Sequence, residues 1–180
     1  TDFAEKLPVV EAFHFNKDVE ALRGGMSADI PGPDLNYTLR AFPNHHRALY
    51  SMGRYALKYP NARVPPGAQY SGDCYFLRAI RFRPDDAVVR LVFGIYLYQA
   101  KRNEEALIQL EEARKLDDNN PEVHYNLGLL YERGGDDERA VAHARRAYEL
   151  GYPLQGLRNI LVRKGAWDGE VSVLEPSAQD

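Results

Sequence analysis

The chain has 180 residues, of which 44% are hydrophobic, 11% aromatic and 27% charged, with 23 basic against 26 acidic side chains. This is ordinary globular composition, and the near-balance of charge argues against a nucleic-acid-binding domain, which is distinctly basic. One cysteine, Cys74, leaves no internal disulfide framework and no multi-cysteine zinc site, and no apolar run approaches the length needed to cross a bilayer.

Residues 1–33 form an N-terminal arm. The sequence begins Thr1-Asp2-Phe3 without an initiator methionine, which points to a processed N-terminus and an exported, bacterial protein, with the cytoplasm as the alternative. Pro8–Phe15 alternates imperfectly and reads as an extended strand-like segment, followed by a short helix near Asp18–Arg23. Gly24-Gly25 and Pro31-Gly32-Pro33 then break the chain. The arm carries six acidic and three basic residues, whereas Asp34–Asp86 carries eight basic and four acidic, so the arm is expected to dock on the segment after it.

Asp34–Phe42 reads as a lone helix. Next come residues 46–86, interrupted at Tyr59–Ser71 (YPNARVPPGAQYS), whose prolines and glycine cannot continue a helix. Met52-Gly53 and Phe93-Gly94 are 41 residues apart. Beyond that point the spacing becomes regular. Ala79, Ala113 and Ala147 are 34 apart, as are Gly94 and Gly128, Ala106 and Ala140, and Phe82, Leu116 and Leu150. In 87–120 and 121–154 the apolar residues recur every three or four positions, which describes two antiparallel helices per unit. Asp86, Asn103 and Asn120 precede or open these runs as candidate caps, and Pro121 sits where a first-turn residue needs no N–H. Residues 155–168 read as a closing helix and 169–180 as a loose tail.

The recurring Phe93-Gly94 and Leu127-Gly128, the alanines and Pro84 resemble the tetratricopeptide repeat family, with its 34-residue helix-turn-helix unit. The departures are Arg90 and His124 in place of the consensus tryptophan, and Asp118 and Tyr152 in place of the unit-ending proline. The resemblance implies an all-α, right-handed solenoid of about three units: a half unit at 34–45, units at 46–86, 87–120 and 121–154, and a cap helix at 155–168. It implies a concave groove formed by the first helices, with Arg47, Tyr50 and Arg54 from the first unit, Leu91, Ile95 and Tyr98 from the second, and Tyr125, Leu129 and Arg133 from the third. Such a groove suits a protein or peptide partner with an acidic amphipathic segment, bound without chemistry by an adaptor or assembly factor. The acidic arm, with Phe13 and Phe15, is an alternative occupant. A small apolar ligand among the twelve tyrosines is an alternative function.

Some members of the family hold a partner's terminal carboxylate with lysine, asparagine and arginine. Here Asn126 stands at one such position, but Val88, Leu91 and Ile95 stand at the others, so Asn126 reads as a packing residue. Asn44-His45-His46-Arg47 lacks a ligand at i+4 that would complete a metal face, and reads as a helix start. A catalytic use of His45, His46, Asp73 and Cys74 requires the four to converge in space. Neither a cofactor nor a metal is expected.

Overall fold

A computed structural model describes residues 3–167, and the C-terminal tail lies outside them. The described residues form ten helices and no strand: α1 Phe3–His14, α2 Lys17–Glu20, α3 Gly32–Ala41, α4 His46–Leu57, α5 Gly72–Phe82, α6 Ala87–Gln99, α7 Asn103–Leu116, α8 Pro121–Arg133, α9 Asp137–Glu149 and α10 Gly156–Arg163. Three successive hairpins, α4/α5, α6/α7 and α8/α9, stack into a helical solenoid, with α4, α6 and α8 packed side by side. Its ends are closed by α1–α3 and by α10.

The small residues of the repeat sit where helices meet most closely. Ala79, Ala106, Ala113, Ala140 and Ala147 are fully buried. A Cβ added at Gly94 would lie 2.6 Å from Leu110 Cγ, and one at Gly128 would lie 2.5 Å from Leu157 Cδ2. Glycine is needed at both points because the neighbouring helix occupies the space of a side chain. Leu97, Leu110 and Leu127 fill the interior from the large positions.

Helix starts follow local chemistry. Asp86 accepts from the Val89 N–H, Asn120 from those of Glu122 and Val123, and Ser71 from that of Cys74, each satisfying a donor that the first turn leaves without a helical partner. Pro121 occupies a first-turn position of α8 as expected. Asn103 does not cap α7: it is already helical, behind Arg102, and its buried Oδ1 has no partner. The two regular hairpins turn through left-handed residues 34 positions apart, Lys101 at φ 64° and Gly135 at φ 79°.

The arm differs from the sequence expectation. Pro8–Phe15 is not extended, since residues 3–14 form α1, which packs on α3. Pro8 lies inside that helix, in its second turn, where its missing N–H removes one helical hydrogen bond. Phe15 is 3% exposed and joins Val19, Leu22, Leu35, Leu39 and Leu49 in the core, whereas Phe13 faces solvent. A polar tie between arm and solenoid is added to this apolar one. Asp34, fully buried, accepts hydrogen bonds from the Met26 and Ser27 N–H groups, at 2.6 and 2.9 Å, from the Ser27 hydroxyl, and from His14 Nδ1 at 2.8 Å. Burial alone would raise its carboxyl, but these donors outweigh it and hold the group below the ordinary 3.8.

Residues 58–71 form the expected irregular insertion. Tyr55 donates to the Pro66 carbonyl at 3.1 Å, and the Tyr75 hydroxyl donates to Asn36 Oδ1 at 2.7 Å while accepting from the Gln69 N–H. The inserted segment is thus fastened to α4 and α5, and Tyr75 in turn ties α5 to α3. Among the described residues no helix is long and apolar enough to cross a membrane.

Candidate partner-binding groove

The first helices of all three hairpins run in the same direction, so their starts line one edge of the inner face and their ends line the other. Between the edges lies a cavity of about 360 Å³ bounded by Glu20, His46, Arg47, Tyr50, Val92, Ile95, Glu122, Asn126 and Tyr152. A shallower recess sharing Tyr50, Val92 and Ile95 continues it to Arg54 and Gln99. Tyr50 is 42% exposed, and Ile95 is partly buried. The floor is apolar and the rims are charged.

The residues expected to line the groove divide into two sets. Arg47, Tyr50, Arg54 and Arg133 are exposed, while Ile95, Tyr98 and Leu129 are partly buried. Leu91 and Tyr125 turn inward, at 2% and 9% exposure. Tyr125 stacks on Tyr152, with ring centres 4.2 Å apart, and packs with Leu157 and Leu161 of α10. Leu91 holds the equivalent place 34 residues earlier. This position is buried in both units, and the next residue round the helix, Val92 or Asn126, lines the cavity. One residue is about 100° of helix rotation, so an offset of one moves a side chain from groove to core.

Val92, Glu122 and Tyr152 are lining residues that the repeat offsets missed. Alternation of apolar and polar residues within α8 marks Glu122 as outward-facing, but nothing in the pattern separates the concave from the convex outside. Asn126 Nδ2 donates to the Glu122 carbonyl at 2.8 Å, a bond to neighbouring backbone as expected, and the same residue lines the cavity.

Charges on the two edges are disposed differently. At the edge of helix starts, Arg47 is held by the arm: Nε and one terminal nitrogen donate to the two Glu20 carboxylate oxygens at 2.7 and 2.5 Å, and Glu11 lies at 3.7 Å. The hydrogen bond from Arg47 lowers the Glu20 carboxyl, against the effect of burial. His46 Nε2 contacts both Asp86 carboxylate oxygens at 2.9 and 3.1 Å. Glu20 is the residue by which the arm reaches the cavity wall, and the Ser51 hydroxyl fixes it by donating to its backbone carbonyl. At the edge of helix ends, Arg54 lies over the Tyr50 ring and Arg133 over the Tyr98 ring, at 5.7 and 4.6 Å. Neither has a carboxylate partner among the described residues.

The four residues of the catalytic alternative do not come together. His45 caps α4 and contacts Glu11 at 3.0 Å, His46 is held by Asp86, and Asp73 accepts from Arg102 at 2.7 Å. Cys74 is partly buried and begins α5. Nor do the tyrosines share one chamber: Tyr55 and Tyr75 are core residues, whereas Tyr50 and Tyr152 face the groove. Among the described residues, no group of three or more histidine, cysteine or acidic side chains could hold a metal ion.

Residues 94–135 match a family model described as TPR repeat. Curated proteins give no match. Among solved structures, PilF of Pseudomonas aeruginosa aligns with a TM-score of 0.59 at 18% identity, over 91% of this chain and 69% of that one. A structure of MamA from MSR-1 aligns with a TM-score of 0.52 at 22% identity, over 83% of this chain and 77% of that one. YrrB, a TPR protein with an unusual peptide-binding site, aligns with a TM-score of 0.51 at 21% identity, over 73% of this chain and 63% of that one. At these identities the likeness is one of fold.

Proposed function

The chain carries tetratricopeptide repeats, and we propose that it binds a segment of another protein in the groove along α4, α6 and α8, acting as an adaptor or assembly factor without chemistry of its own. The observation that carries this reading is the apolar floor of Tyr50 and Ile95, over the largely buried Val92, in a cavity of about 360 Å³ between two charged rims. A concave apolar site with polar groups at its margin supplies burial for affinity and charge for orientation. An amphipathic helix or extended strand presents that complement: apolar side chains enter the floor, while acidic side chains on one flank meet Arg54 and Arg133. Both arginines rest on tyrosine rings, which orients the guanidinium groups before a partner arrives. Arg47 has a different part, since Glu20 and Glu11 already satisfy it and it fastens the arm.

The test is a double substitution in the floor, Tyr50→Ala with Ile95→Ala. Affinity for a partner isolated from the native source should fall at least about tenfold, the effect expected from truncating central apolar anchors, while circular dichroism keeps the full helical signal. Unchanged affinity with intact helices would overturn the reading.

A further inference from the structure

We infer that Glu122, at the opposite rim from Arg54 and Arg133, is a subsite for a lysine or arginine side chain of the bound segment. The inference rests on the proposed groove and adds the chemistry of its second flank.

The argument starts from which carboxylates at this rim are already satisfied. Glu20 is taken by Arg47, and Asp86 by His46 and by Asn44 Nδ2 at 3.0 Å. Glu122 has no cationic partner among the described residues. Nor does helix capping use its side chain, since Asn120 accepts from the first-turn N–H groups of α8. Glu122 is exposed at the cavity wall, and the neighbouring groove surface raises its carboxyl above the ordinary 4.5. Tyr152 lines the same cavity, and its phenol is pushed up to about 12, first by burial and then by the negative charge of Glu122. An exposed carboxylate at the wall of an apolar recess, with no cation of its own, offers a partner's cation a place at the rim.

The surroundings select the form of that cation. Tyr152 stacks on Tyr125 beside the carboxylate, giving aromatic surface that a cation can approach, and Ile95 and Val92 continue as an apolar path across the floor. A lysine or arginine side chain fits both parts, because its methylene stem lies on apolar surface while its head reaches the acid. A metal ion is not favoured here, because among the described residues no group of three or more histidine, cysteine or acidic side chains could hold one. The groove therefore reads its partner across its width: an acidic flank towards Arg54 and Arg133, a basic side chain towards Glu122. That arrangement fixes which way round an amphipathic segment lies.

The test uses the full chain and two synthetic helical peptides with the same leucine stripe and the same glutamate flank, the other flank bearing lysines in one and glutamines in the other. The lysine peptide should bind about tenfold more tightly, in line with a charge pair formed at the rim. Glu122→Gln should reduce the difference to within about twofold, and raised salt should shrink it for the unaltered protein. Circular dichroism checks that Glu122→Gln leaves the fold intact. Equal affinity for the two peptides, or a lysine preference that survives Glu122→Gln, would overturn the subsite. If both peptides bind equally and both weaken with Tyr50→Ala and Ile95→Ala, the groove reading stands and only the subsite fails. If neither peptide binds, both readings fail together.

Discussion

The α6–α9 region and the α1–α4 region of this molecule are held together by different means. In α6–α9, close contacts repeat every 34 residues: a Cβ at Gly94 would meet the Ala106 carbonyl at 3.4 Å and one at Gly128 the Ala140 carbonyl at 3.3 Å, and Ala106, Ala113, Ala140 and Ala147 are buried. In α1–α4 the period fails, and buried or clasped polar groups are added to the apolar core of Phe15, Val19, Leu22, Leu35, Leu39 and Leu49, with Asp34 gathering the 26–27 backbone and His14, and Arg47 joining Glu20. Close packing spreads stability over many small contacts, whereas a buried carboxylate concentrates it in one residue. A solenoid unit depends on its neighbours, so damage to a packing contact propagates, and damage to a local tie does not.

Gly94→Val tests the first half of that comparison most severely. Added atoms would collide with the Leu110 side chain at the crossing of α6 and α7, and the expected loss is about 3 kcal/mol, the upper end of the usual range for overpacking. Thermal melting should show it as a large fall in Tm for the whole domain. Retention of the wild-type melt would remove close helix approach as the basis of the repeat.

Asp34→Ala should cost about 2–3 kcal/mol and act locally, because two backbone N–H groups and a hydroxyl lose a buried acceptor. Hydrogen exchange should speed up in α1–α3 while α6–α9 keep their protection. The same residue predicts a smaller, titratable effect. Its carboxyl is depressed in the folded state, so its contribution is fully present above the ordinary 3.8 and is lost as pH falls through the lower folded value. Acid should therefore release the arm in the unaltered protein, and Asp34→Ala should flatten that part of the profile. Uniform acceleration of exchange across all helices would break the distinction between the two regions.

The sequence carried these two regions unequally. The all-helical solenoid was legible because steric demands at helix crossings restrict residue size, and restriction repeated at a fixed period is visible, whereas the closing helix expected over 155–168 covers only Gly156–Arg163. Helix α1 was hidden by Pro8 and by the lack of a clear apolar face, and its anchor was hidden because Asp34, Ser27 and His14 are distant along the chain and ordinary in type. Of the residues the repeat offsets named, Tyr50 and Ile95 line the cavity, whereas Leu91 and Tyr125 are buried, and Tyr152 enters from a loop that the helical period does not describe. Glu122 depends on what surrounds it in space, which no spacing records.

The central claim is that a partner lies on the inner wall of the solenoid. A photo-crosslinking amino acid at position 50, in the groove, should give an adduct with the partner, while the same group at position 108, where Ile108 is 59% exposed on α7, should give none. An adduct from position 108 with none from position 50 would contradict the account.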